Sequence, residues 1–358
     1  MNMLALPELD ALERLIEAAP RDLQVRRACE VTVKDGSRDQ RLPVYALSLG
    51  NPDPKVPAVG FFGGVHGLER IGTQVLLSFL DSLVERLKWD GTLHAQLQTV
   101  RLVFMPLVNP GGMRASTRCN PRGVDLMRNS PVEASGRPPF LIGGQRYSAR
   151  LPWFRGSTDA MEADSAALCQ VVRDELLGRP FSVALDCHSG FGLRDRIWFP
   201  YAHTPTPIEH LPEIHALKGL FDTSYPNHDY LFEPQSRQYL AHGDLWDHLY
   251  QGAQAAGNRV FLPLTLEMGS WRWVRKSPSQ LFSRLGIFNP LPQHRLQRVL
   301  RSHLVWLDFL SRVGCSWQDW LPCGAERSRH HDAALSDWYR GDWYQGDWTG
   351  GDRHPGGD

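Results

Sequence analysis

GFFGGVHGLERIGTQVLLSFL, residues 60–80, runs from an apolar strand end through a glycine turn into an amphipathic helix. Ile71, Val75, Leu76, Phe79, Leu80, Leu83, Val84 and Leu87 mark one helix face, which WDG closes. His66 and Glu69 stand three residues apart at the joint. A loop tip presents side chains to ligands more readily than it hides them. The pair reads either as a polar turn or as two thirds of a metal site.

The same alternation continues outward from this joint. PELDALERLIEAA (7–19) has Leu9, Leu12, Leu15 and Ile16 at helical spacing, with Pro7 near the helix start. LQVRRACEVTV and RLPVYALSLG read as strands joined at KDGSRDQ, a turn carrying Asp-Gly. VRLVFMPLVNP is a continuous apolar run, as expected of a strand buried on both faces. A helix pattern from Asp159 to Leu177 precedes the strand FSVALDCHSG. VFLPLTLEMGS is another buried strand, and QHRLQRVLRSHLVWLDFLSRV a closing helix. Strands alternating with helices predict one α/β domain with a mixed, largely parallel sheet, over residues 1–324.

Two stretches break the rhythm. Residues 130–158 and 192–238 are rich in Pro, Gly, Arg and aromatics, and are expected to be functional loops. The tail from residue 325 to 358 contains DWYRGDWYQGDWTGGD, a Gly-Asp-Trp unit every five residues, and is expected to be disordered.

Composition excludes several classes. Lys+Arg 39 balances Asp+Glu 39 in 358 residues, which gives no reason to expect nucleic acid or an acidic membrane surface as partner. No apolar run approaches the roughly 20 residues of a membrane span. The opening has no basic segment leading into an apolar one, so no signal peptide is expected. The six cysteines, Cys29, Cys119, Cys169, Cys187, Cys315 and Cys323, show no CxxC spacing. A reduced cytoplasmic enzyme is the simplest reading.

In open α/β sheets ligands gather beyond the carboxyl ends of strands. Four such ends carry chemically loaded residues here: His66 with Glu69, Asn109, His188 and Glu267. Two imidazoles and one carboxylate bind Zn²⁺ tetrahedrally and leave the fourth position to water. In HExxH sites the intervening Glu is the base; HxxE has none, so Glu267 is the candidate general base. Singly, each residue has a plainer reading: a polar turn, a core histidine beside Cys187, a salt-bridged carboxylate. Together they favour the metal.

From Arg41 to Gly269 the chain resembles the zinc metallocarboxypeptidases of the carboxypeptidase A type. The resemblance rests on GGVHGLER, LVNPGGMRASTRCNPRGVDLMRN, DCHSGFG with IWFPYA, QYLAHGDLWDHLY and LTLEMGS. It implies one Zn²⁺ on His66, Glu69 and His188, with Glu267 catalytic. It further implies that Arg118 polarises the scissile carbonyl, Arg128 binds the substrate carboxylate, and Tyr239 caps the bound substrate. Asp125 matches the aspartate that orients a zinc-bound histidine. One departure stands out: the family usually reads DLNRN, and this chain has Met127 where that Asn helps hold the terminal carboxylate. Methionine donates no hydrogen bond, which thins the clamp to Arg128 and Tyr239. Trp246 falls in the segment matching the floor of the family's side-chain pocket, and is expected to narrow it.

The leading expectation is a zinc hydrolase cleaving a peptide or amide bond in a small peptide or amino-acid conjugate. A rival is an N-acyl amino acid deacylase of the succinylglutamate desuccinylase and aspartoacylase type, whose zinc site is similar. A non-catalytic binding module on the same fold is the third, against which stands the full set of ligands with Glu267.

Overall fold

A computed structural model describes residues 6–36, 38–257 and 259–340. Its strands are β1 (Gln24–Asp35), β2 (Arg38–Gly50), β3 (Ala58–Gly63), β4 (Arg101–Met105), β5 (Phe181–Ser189), β6 (Arg196–Phe199), β7 (Leu231–Pro234) and β8 (Val260–Met268). They form one 8-stranded sheet in the order β1-β2-β4-β3-β5-β8-β6-β7. The centre, β4-β3-β5-β8, is parallel, while β1, β2 and β4 pair antiparallel, as do β8 and β6. Every residue of β3, β4 and β5 is buried, so both faces of the central sheet are covered. That is why these strands read as unbroken apolar runs.

The helices are α1 (Pro7–Ala18), α2 (Arg70–Arg86), α3 (Gly91–Leu97), α4 (Pro110–Ala115), α5 (Ala163–Val172), α6 (Leu211–Ser224), α7 (Leu245–Ala255), α8 (Trp271–Lys276), α9 (Gln293–Cys315), α10 (Trp317–Trp320) and α11 (Gly324–Trp338). In α2 the buried residues include Ile71, Val75, Leu76, Phe79, Leu80, Leu83 and Val84, the stripe its periodicity marks. Helices α2 and α9 pack on each other and on β5, while α5 packs on β1 and α7 on β8. No helix among the described residues is long and apolar enough to cross a membrane.

Several expectations need correction. The segment 192–238 is not one loop: β6, α6 and β7 lie inside it. The two strands have four residues each, too few to display a period. The helix expected from Asp159 starts at Ala163 and ends in a π turn over Arg173–Leu177. Residues 130–158 do stay without helix or strand.

The tail does not begin at 325, because α11 packs along α6. Trp338 anchors it: buried, with its ring 4.8 Å from Phe199 and 5.6 Å from His215. The Gly-Asp-Trp repeats beyond residue 340 lie outside the described residues. Trp338→Ala should cost about 3–5 kcal/mol, the range for a buried Trp, read as a lower urea midpoint. An unchanged midpoint would show that α11 lies outside the cooperative unit.

Candidate metal centre and active site

The parallel strands β3, β5 and β8 point their carboxyl ends one way, and the sequence loads those ends. β3 turns at Gly64, whose φ of 65° suits glycine; a Cβ there would sit 2.6 Å from Thr73 Oγ1. This turn carries His66 and places Glu69 at the start of α2. Asn109 fixes the turn from the next strand: its amide donates to the Val65 carbonyl at 3.1 Å, and its Oδ1 caps α4 through Gly112 N at 2.7 Å. Asn109 is thus a brace rather than a ligand.

His66, Glu69 and His188 converge as a buried cluster whose candidate ligand atoms all lie within 4.8 Å of one another. His66 Nδ1 is 2.9 Å from Glu69 Oε1, His188 Nδ1 is 3.0 Å from Glu69 Oε2, and the two Nδ1 atoms are 3.2 Å apart. Behind the rings, His66 Nε2 lies 3.1 Å from Asp125 Oδ1, and His188 Nε2 lies 2.7 Å from Asp186 Oδ2. When each neutral ring donates its Nε2–H to the carboxylate behind it, both Nδ1 lone pairs turn toward Glu69. Two lone pairs and a carboxylate in such proximity repel unless a cation sits among them. The donor set therefore fits a divalent metal with an open position, and suits zinc.

The electrostatics agree with that fit. Burial disfavours the His188 charge, yet Asp186 and Glu69 raise its proton affinity well above the usual imidazole range. Burial likewise opposes ionisation of Asp125, but Arg118, then His66, hold its carboxyl well below the usual range. Glu69 also ends below its ordinary value, drawn down against burial by both histidines. The pocket is electron-rich by construction.

Around this cluster the structure places the other expected residues. Arg118, with a side chain 24% exposed, donates from Nε to Asp125 at 2.8 Å and from Nη1 to Glu69 at 3.2 Å. Glu267 pairs with His188 across the β5–β8 ladder, and its Oε1 accepts from Phe191 N at 3.0 Å. Burial, then the Glu69 charge, pushes its carboxyl upward. Arg128, almost fully buried, donates to the Tyr239 hydroxyl at 3.2 Å, and Tyr239 is half-buried near Phe191 and Trp198.

Two residues went unread in the sequence. Asp186 had a signal: in Asp-Cys-His on a strand, residues i and i+2 share a face, so Asp186 stands beside His188. Asp244 caps α7, accepting on Oδ1 from Trp246 N at 2.9 Å and Asp247 N at 3.0 Å. The carboxylate then ends 3.8 Å from Arg128. Trp246 does not stand where the sequence suggested. It is 2% exposed, lies against Phe62, and donates from Nε1 to Asp186 at 3.0 Å, beneath His188. Met127 is buried in the hydrophobic core.

Comparison with known proteins converges on one family. Carboxypeptidase SOL1 of Arabidopsis thaliana is 35% identical over 92 residues, 25% of this chain and 19% of that protein. Carboxypeptidase D of Drosophila melanogaster is 22% identical over 304 residues, 76% of this chain and 19% of that protein. The chain thus spans about a fifth of each of these relatives. Among solved structures, thrombin activatable fibrinolysis inhibitor matches with a TM-score of 0.65 at 18% identity, covering 87% of this chain and 74% of that one. Carboxypeptidase A from Helicoverpa armigera matches at 0.60 and 16% identity, covering 85% and 71%. Both share the fold. The family model described as zinc carboxypeptidase matches residues 33–268, more than half of the chain. That match runs through all three ligands of the buried cluster and ends one residue past Glu267: the chain belongs to the zinc carboxypeptidase family.

Proposed function

We propose that this hydrolase cleaves the amide bond next to a free carboxylate in a small peptide or amino-acid conjugate. The observation that carries the reading is Arg128, a buried guanidinium whose Nε has no hydrogen-bond partner and whose Nη2 meets only a tyrosine hydroxyl. A buried cation left so incompletely paired is a receptor for an incoming anion, and Arg binds carboxylates in bidentate fashion.

Each residue then takes a role from its position. Zinc, when held by His66, Glu69 and His188, supplies acidified water and carbonyl polarisation. Glu267 stands on the strand beside His188 with one oxygen held by Phe191 N, so its other oxygen is left to accept a proton from water. The same carboxyl returns that proton to the leaving amine. Arg118, fixed by Asp125 and Glu69, turns its remaining N–H groups toward the developing oxyanion. Tyr239 covers Arg128 and closes over the bound carboxylate. A reducing, cytoplasmic setting suits six cysteines that are all unpaired.

The test is a panel of N-benzoylglycyl amino acids, each beside its C-terminal amide, with N-acetyl and N-succinyl amino acids run in parallel. Loss of a charged hydrogen bond costs ~1.5–3 kcal/mol, roughly 10- to 100-fold, so the amides should fall behind by that factor. Equal turnover of acids and amides would refute the carboxylate site. Turnover of N-acyl amino acids alone would favour the deacylase.

A further inference from the structure

Arg128 is not the only incompletely satisfied group in its pocket. Asp244 is 1% exposed, and its Oδ2 has no hydrogen-bond partner. That oxygen lies 3.8 Å from Arg128 Nη1: near enough for charge to matter, too far for a hydrogen bond. Backbone geometry enforces the approach. Gly243 has a φ of 74°, and a Cβ there would fall 1.9 Å from the Arg128 carbonyl oxygen. Gly243 is also tied on both sides, accepting from Ser130 N at 3.0 Å and donating to the Val132 carbonyl at 2.7 Å. With Oδ1 occupied by two backbone N–H groups of α7, only Oδ2 is left to carry a proton.

We propose that Asp244 is the second member of the carboxylate-binding site: as a neutral acid it donates its Oδ2–H to a substrate carboxylate held by Arg128, taking that proton from solvent as the substrate arrives. This rests on Arg128 being the carboxylate site. It supplies the donor that Met127 cannot, since Met127 is packed in the core.

The surrounding charges set the direction. Burial first, then the neighbouring Asp247 on the same helix, raises the Asp244 carboxyl above its usual range, while Arg128 pulls the other way. Arg155 donates from Nε to the Arg128 carbonyl at 3.2 Å and is itself neutralised by Glu133. A substrate carboxylate adds a like charge and shares the one cation opposing protonation, so it favours the acid form further. The donor is present at low pH and lost as pH rises.

Two variants keep the helix cap and separate the outcomes. Asp244→Asn fixes a donor in place of Oδ2, and Asp244→Ser keeps a capping oxygen but removes the reaching group. On N-benzoylglycyl amino acids the zinc enzyme should show KM rising about tenfold from pH 6 to 8.5. Asp244→Asn should flatten that slope to within about threefold, and Asp244→Ser should raise KM about tenfold at pH 6, with kcat moving less than KM in both. Identical behaviour of the two variants, with the wild-type slope retained, would show a capping role alone and overturn the proposal. Should none of these peptides be hydrolysed, the function proposed above fails separately. The ¹³C resonance of the Asp244 carboxyl, followed by pH titration with and without acetate, then decides this inference. An upward move of its midpoint with acetate supports it, and an unmoved midpoint refutes it.

Discussion

Glu267→Gln should remove turnover while leaving the metal bound. The substitution keeps the side chain's length and its acceptor for Phe191 N, the one hydrogen bond Glu267 makes among the described residues. What it removes is an oxygen able to take a proton. Positioned acid–base groups contribute roughly 10²–10⁴-fold, and this carboxyl is assigned both the uptake and the return. Because Glu267 is not among the three clustered ligands, metal content should stay near one per chain. A variant retaining more than about a tenth of the wild-type rate would place the base elsewhere, given that 10²-fold floor.

His188→Ala should empty the centre. Of the three ligand residues, His188 is the one that comes from β5, across from the turn carrying the other two. Without it, His66 and Glu69 offer two donors on one loop, too few for a closed tetrahedral site. The loss also strips Asp186 of the ring it holds, leaving the Trp246 indole as its remaining donor. Elemental analysis should find little zinc after dialysis, and hydrolysis should fall to background. Circular dichroism of the variant checks that the sheet persists. Full metal content with full activity would sink the ligand assignment.

Much of this centre was legible because strand ends are legible. An apolar run followed by Gly-Gly-Val-His or by Asp-Cys-His announces where a chain leaves the sheet, and what it carries there. Glu267 was found in the same way, at the end of Leu-Pro-Leu-Thr-Leu. What the sequence hid is what depends on distant segments. Asp244 went unread, because only the folded chain brings its second oxygen toward Arg128. Trp246 reads as a pocket wall, yet its ring turns inward because Asp186 accepts its N–H. The helix α11 was lost to composition: it buries just Ala334 and Trp338, so it has no apolar stripe to betray it.

The distance along the chain between the two histidines has a kinetic meaning. His66 and His188 are 122 residues apart, and they meet because β3 lies beside β5, with Gly63 opposite Cys187. Closing so long a loop comes late and slowly, since its entropy is lost before the contacts form. The ligand cluster is therefore assembled by the sheet, and does not nucleate it. A metal that binds only the finished site adds its stabilisation after the folding barrier. Zinc should therefore slow unfolding and leave the folding rate nearly untouched, which stopped-flow unfolding and refolding of the metal-free and zinc-loaded protein would read.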